Sequence, residues 1–403
     1  MSAEGTNKTW ETACGLAELF PKVSRPGLSR RVIQLTRGGD FCYPLYYFIP
    51  SITADGRWMI YHRETPGSPH EIQLHRLDLR SGETHRITAC RGAGAHWQPW
   101  GEDPAKGVLG DRSALAVERG LLIYFDGRQA RCVSMSDGAD KALFEVPEDR
   151  YVLSQNCFTG DERWFVYVDV DRNAFQTWLE RGRKREEAGM CEGTAVRAHN
   201  VDTGERRVLF YINYPVHHVH PVGEREIAFS HIPGDLLGMG LASLDRPGYR
   251  IPRPRDERDA RIIHHVPTRR GIAYELSPAD GARGAGMLDP ESGQTFEFPV
   301  PGDVNHTGLD PEGRVFFYQR KRDRLQAIRR FDSDGEHEWQ DLIGSWATYG
   351  RGQKAHFHPR FVLNGKWMQM VAGDPETETN HIFLVDVADM RAPEDMPQFP
   401  WTE

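Results

Sequence analysis

The chain has 403 residues, more than most single cores support, so length alone implies two or three domains unless the chain is a repeat array or a large closed β architecture. Hydrophobic residues make up 39% and charged residues 27%, mean hydropathy is −0.59, and no window approaches eighteen apolar residues, which argues against a membrane protein. A net charge of −8 offers no basic face for nucleic acid, so any anionic ligand must be met by a local site.

Met1 to Trp10 lacks the basic start and apolar run of a secretory signal, and a cytoplasmic location is expected. Trp10, Cys14, Leu16, Ala17, Leu19 and Phe20 fall at helical spacing and predict a short N-terminal helix within an extension over 1–28. The strand Arg31 to Thr36 precedes the first complete unit and is expected to pair with the last one. Seven turns, each followed by an apolar strand, then recur. They are Ala54-Asp55-Gly56 before Trp58, Glu118 to Gly120 before Leu121, Gly160 to Glu162 before Trp164, and Gly223 to Arg225 before Ile227. Thr268 to Arg270 before Ile272, Pro311 to Gly313 before Val315, and Asn364-Gly365 before Trp367 complete the set. Outer turns such as Ser81-Gly82-Glu83 and Thr203-Gly204-Glu205 lie between them. At roughly 58 residues per unit, the pattern predicts an all-β chain with one seven-bladed β-propeller over 29–403. Residues 172–190, with Phe175, Trp178 and Leu179 ahead of a charged run, predict a helical insertion in blade three. Six scattered cysteines without Cys-x-x-Cys spacing are expected to be buried free thiols.

Polar residues are placed in the funnel by counting back seven from the hairpin glycine. Gly313 leads to His306 and Gly365 to His358, while the equivalent turn positions lead to His217, Gln155 and Arg112. On a strand, His356 and His358 would face the same side roughly 7 Å apart, close enough for one cation. Gln353 has the wrong strand parity and would reach that cation from the preceding loop. Three imidazoles and an amide oxygen suit a first-row divalent ion, Mn²⁺ as well as Zn²⁺. His264 and His265 are expected to be packing or surface residues. His231 follows an inner strand and could face a substrate.

The string Gln353-Lys354-Ala355-His356-Phe357-His358-Pro359, with His306 one blade earlier, resembles the manganese site of oligogalacturonate lyases, the seven-bladed propellers of pectin breakdown. The likeness extends through Val32 to Thr36, Cys42, Tyr46-Tyr47-Phe48 and Phe229-Ser230-His231. It implies that His306, Gln353, His356 and His358 are the four protein ligands. Departures accompany it: Leu236 to Gly240 lacks the arginine that serves as base in the family. Cys42 to Tyr46 loses a basic pair, and Ile262 to His265 replaces a His-Glu-Phe-Trp string. The implied activity is metal-dependent β-elimination on a short acidic oligosaccharide, a uronide. His231 or Lys354 would supply the base, and His217, Arg112 and Gln155 would contact substrate. Two other readings are open, a metal-stabilised sugar-binding propeller without lyase activity and an isomerase acting on another acidic sugar.

Overall fold

The structure, a computed structural model, describes residues 16–25, 27–89, 112–180, 193–231, 239–253, 259–268, 271–278, 284–300, 304–309, 316–320, 324–331, 337–350, 356–363 and 365–390. Apolar runs of five to eight residues closed by Asp, Asn and Gly turns give antiparallel meanders in a propeller-like arrangement. Residues 42–86, 114–145, 259–299 and 304–341 each form a four-stranded sheet. The meanders 150–212 and 216–253 share one eight-stranded sheet, joined through a parallel bridge between Gln155 and His218. The last sheet combines 360–386 with Val32–Gln34 and Lys22–Val23 from the other end of the chain. Val32 lies opposite Val385 and Ile33 opposite Leu384, the pairing that the strand over 31–36 led us to expect.

The core lies between the sheets. Trp164–Asp171 and Trp367–Asp374 are buried at every position but the last, as strands covered on both faces must be. One apolar cluster joins Ile123 and Phe125 of the second meander to Phe165 and Tyr167 of the third. Another joins Tyr43 to Ile49 with Leu115, Tyr124 and Val371. Glycines inside strands make room for aromatic rings. Gly240, Gly286 and Gly308 lie opposite Phe229, Tyr274 and Phe317, and a Cβ on them would fall 2.2, 2.4 and 2.5 Å from those rings.

Among the described residues there are two α-helices and a short 3-10 helix, Ala388–Met390. Leu16–Leu19 has four residues, and 8–15 of the expected N-terminal helix lie outside the described residues. Arg172–Glu180 begins where the Asp171 side chain accepts the Ala174 N–H at 2.8 Å, an N-cap, and it buries Phe175 and Trp178. The charged remainder of that insertion, 181–190, lies outside the described residues. Cys42, Cys132 and Cys157 are free and buried, and burial pushes the Cys42 thiol up to about 12, so it is unreactive. Among the described residues no helix is long and apolar enough to cross a membrane.

Candidate functional site

The first strands of successive meanders break register at one recurring place. The shifts fall between Leu153 and Cys157, Val216 and Val219, Ile263 and Val266, and Asn305 and Thr307. Gln155, His218, His264 and His306 sit within these bulges, and His358 lies two residues before the corresponding strand Arg360–Val362. A bulge re-aims a side chain out of the alternating pleat. His264, His306 and His358 also share a left-handed backbone, with φ of 56°, 52° and 46°. That conformation is strained for a residue with a Cβ and concentrates at functional positions.

The result is a tight group of imidazoles. His306 is fully buried, and its ring centre lies 4.8 Å from that of His356, 4.7 Å from His358 and 5.0 Å from His264. His356 and His358 are 5.9 Å apart. They occupy the loop before the strand rather than a strand, so the positive φ of His358, and not strand parity, sets their relation. His264, expected at the surface or in packing, instead abuts His306, with Nδ1 hydrogen-bonded to the Glu275 carboxylate. His265 is fully buried as well.

Gln319 fixes the His306 tautomer. Its side-chain oxygen lies 3.1 Å from His306 Nδ1 and accepts the Phe357 N–H at 3.2 Å. A backbone N–H can only donate, so the atom it meets is the amide oxygen, and His306 must donate from Nδ1. Nε2 is left with its lone pair, buried and without a hydrogen-bond partner. Burial, then the neighbouring His358, His356 and His264, holds the His306 pKa well below its usual value. The imidazole is therefore neutral, the form that binds metals.

These residues fit a divalent cation. With metal–nitrogen bonds of about 2.1 Å, the centres of adjacent ligating imidazole rings should be about 5 Å apart, close to the separations here. A His ligand whose other nitrogen is held by an amide or carboxylate is the usual supporting arrangement. Among the described residues no three His, Cys, Asp or Glu side chains already hold assembled metal geometry. His356 and His358 would have to turn toward His306 Nε2.

Other anticipated residues fall elsewhere. Gln353 and Lys354 lie outside the described residues. His217 is on the strand Val216–Pro221 and His231 ends Glu226–His231, but their side chains are not among the described parts. Gln155 is buried opposite His218. Arg112 is buried too, and donates from Nε to the Val152 carbonyl at 2.7 Å, tying neighbouring meanders together. An aromatic loop covers the cluster: the Tyr46 ring is 5.2 Å from His358, Tyr47 is 4.7 Å from His306 and Phe48 is 4.0 Å from His220.

Fold and site together define an all-β, propeller-like protein with a buried histidine cluster. Among solved structures, an oligogalacturonate lyase in complex with manganese shares this fold, with a TM-score of 0.74 and 17% identity over 93% of this chain and 96% of its own. An oligogalacturonate lyase from Vibrio parahaemolyticus matches with a TM-score of 0.73 and 15% identity over 94% and 98% of the two chains. A prolyl endopeptidase is more distant, with a TM-score of 0.53 and 10% identity over 93% of this chain and 58% of its own. No family model and no curated protein sequence matches the chain. At these identities the likeness establishes a shared fold.

Proposed function

We propose that the chain is a single seven-bladed propeller over 29–403 and a metal-dependent carbon–oxygen lyase. It cleaves a short uronic-acid oligosaccharide by β-elimination, in the manner of oligogalacturonate lyases but with changed substrate preference. The observation that carries this is the buried, unpartnered Nε2 of His306 beside His356 and His358. Counting the eight-stranded sheet as two meanders yields the seven units. The neighbour described with manganese supports the choice of Mn²⁺ or another first-row ion.

His306, Gln353, His356 and His358 would hold the cation. When bound, it supplies a positive centre that neutralises the carboxylate beside C5 and makes that carbon more acidic. His231 or Lys354 takes the C5 proton, the C5–H electron pair forms the C4–C5 double bond, and the C4–O4 bond breaks with its pair going to O4, which takes up a proton from water and leaves as a hydroxyl. In this reading Gln155, His217 and Arg112 would orient the sugar. Pectin degradation in the cytoplasm is the corresponding role.

The test is to incubate the full chain and Mn²⁺ with short uronides, following ultraviolet absorbance of the new double bond. We expect metal-dependent product that falls by orders of magnitude in a folded His356→Ala, His358→Ala double variant, with loss of bound metal. A second reading, a metal-stabilised sugar-binding propeller, is favoured by the Tyr46 and Tyr47 rings packed over the histidines. Binding without elimination across the whole uronide panel would select it.

A further inference from the structure

Beyond the aromatic loop lies a separate cavity of about 400 Å³. Tyr47 and Phe48 form one wall, and Gly223, Thr268, Phe317 and Phe361 contribute others; the cluster histidines 264, 306 and 358 do not line it. Among the described residues that line the cavity none is acidic and Arg360 alone carries a full charge. Arg360 Nη1 donates to the Tyr47 carbonyl at 3.2 Å, which anchors one corner of the guanidinium. A guanidinium has five N–H groups. Among the described residues no carboxylate pairs with Arg360, and no second hydrogen-bond acceptor meets it. Burial without an acidic neighbour pulls its pKa down to about 10, which leaves the group charged at neutral pH.

Arg360 is partly exposed, so its remaining N–H groups face the cavity, where a charge-assisted bond to an anion gains more than one to water. Planar N–H groups that remain available present the geometry a carboxylate accepts in pairs. Phe48, Phe317 and Phe361 give the cavity apolar walls around it. We infer that this cavity is a carboxylate-binding subsite for an acidic sugar, with Arg360 as its recognition residue, separate from the histidine cluster and independent of metal. The choice of a sugar acid rests on the function proposed above; the carboxylate site itself does not.

The experiment uses full-length protein with metal removed by EDTA and ligand-detected NMR titration. D-galacturonate is compared with its neutral methyl ester. The acid should bind at least about tenfold more tightly than the ester, the loss expected when a charged hydrogen-bonding group has no anion to meet. The difference should vanish in Arg360→Gln. Equal binding of acid and ester by the wild type, absence of binding in EDTA, or an unchanged preference in Arg360→Gln would each overturn the inference. The acid–ester comparison needs no variant, so a folding defect in Arg360→Gln cannot obscure it. Lyase activity without galacturonate binding in EDTA would reject this subsite alone, and EDTA-resistant binding without lyase activity would reject the catalytic reading alone.

Discussion

Replacing Gln319 with leucine tests whether His306 is prepared for a cation by its neighbour or merely packed beside it. The amide oxygen is fully buried and receives two hydrogen bonds, from His306 Nδ1 at 3.1 Å and from the Phe357 N–H at 3.2 Å. Leucine fills a similar volume and accepts neither. An orphaned buried donor costs about 1–3 kcal/mol, so the metal-free protein should lose roughly 2–6 kcal/mol if neither group finds water. The freed imidazole can rotate and change tautomer, and loss of such a supporting bond weakens metal binding about 10–100-fold. Chelator competition with Mn²⁺ or Zn²⁺ reads the affinity, and calorimetry without metal reads the stability. Gln319→Glu keeps two acceptors and should retain far more of both. Unchanged affinity and stability in Gln319→Leu, or equal losses in both variants, would refute the reasoning.

Burial holds His62, His75 and His199 at about 4, below their ordinary value near 6.5. The unfolded chain therefore takes up more protons than the native one between these values, so stability should fall as pH drops from about 6.5 toward 4. Near pH 5 the slope of unfolding free energy with pH should correspond to nearly three protons from these residues, about 2.6, measured by calorimetry across that range; a flat profile would contradict the burial argument. Gly286→Ala places a Cβ 2.4 Å from the Tyr274 ring and should destabilise by about 1–3 kcal/mol, read as a lowered melting temperature. An unchanged melting temperature would mean the ring moves aside without loss.

The repeat was legible in the sequence because each meander writes its own hairpin turn, and the turn fixes where the inner strand begins. Counting back seven residues leads to His306 and His358, whose ring centres lie 4.7 Å apart. The same count from Gly271 falls on His264, but in the sequence Thr268 to Arg270 reads as the turn, which hides the place of His264 beside His306. Glu162 carries the left-handed φ of 53° in its hairpin, which is why the count from that position, rather than from Gly160, reached Gln155. Bulges shift inner strands locally, so His218 rather than His217 stands opposite Gln155. Gln319 and Arg360 could not be read this way. Each gains its meaning from a distant backbone group, and Arg360 meets the carbonyl of Tyr47 across 313 positions of sequence.

Pairing of Val32–Gln34 with Thr379–Asp386 also has a consequence for the order in which the protein can be made. Val32–Gln34 must wait for Thr379–Asp386, with about 340 residues emerging in between. Local meanders can form as they leave the ribosome, but the final sheet cannot. Until residues 379–386 arrive, Val32, Ile33 and the interior faces of the first and last meanders remain open to water and to other nascent chains. A chain interrupted before that point would carry every candidate ligand from His306 to His358 and still present an unpaired apolar edge. Such products should aggregate or be degraded rather than persist as partial propellers.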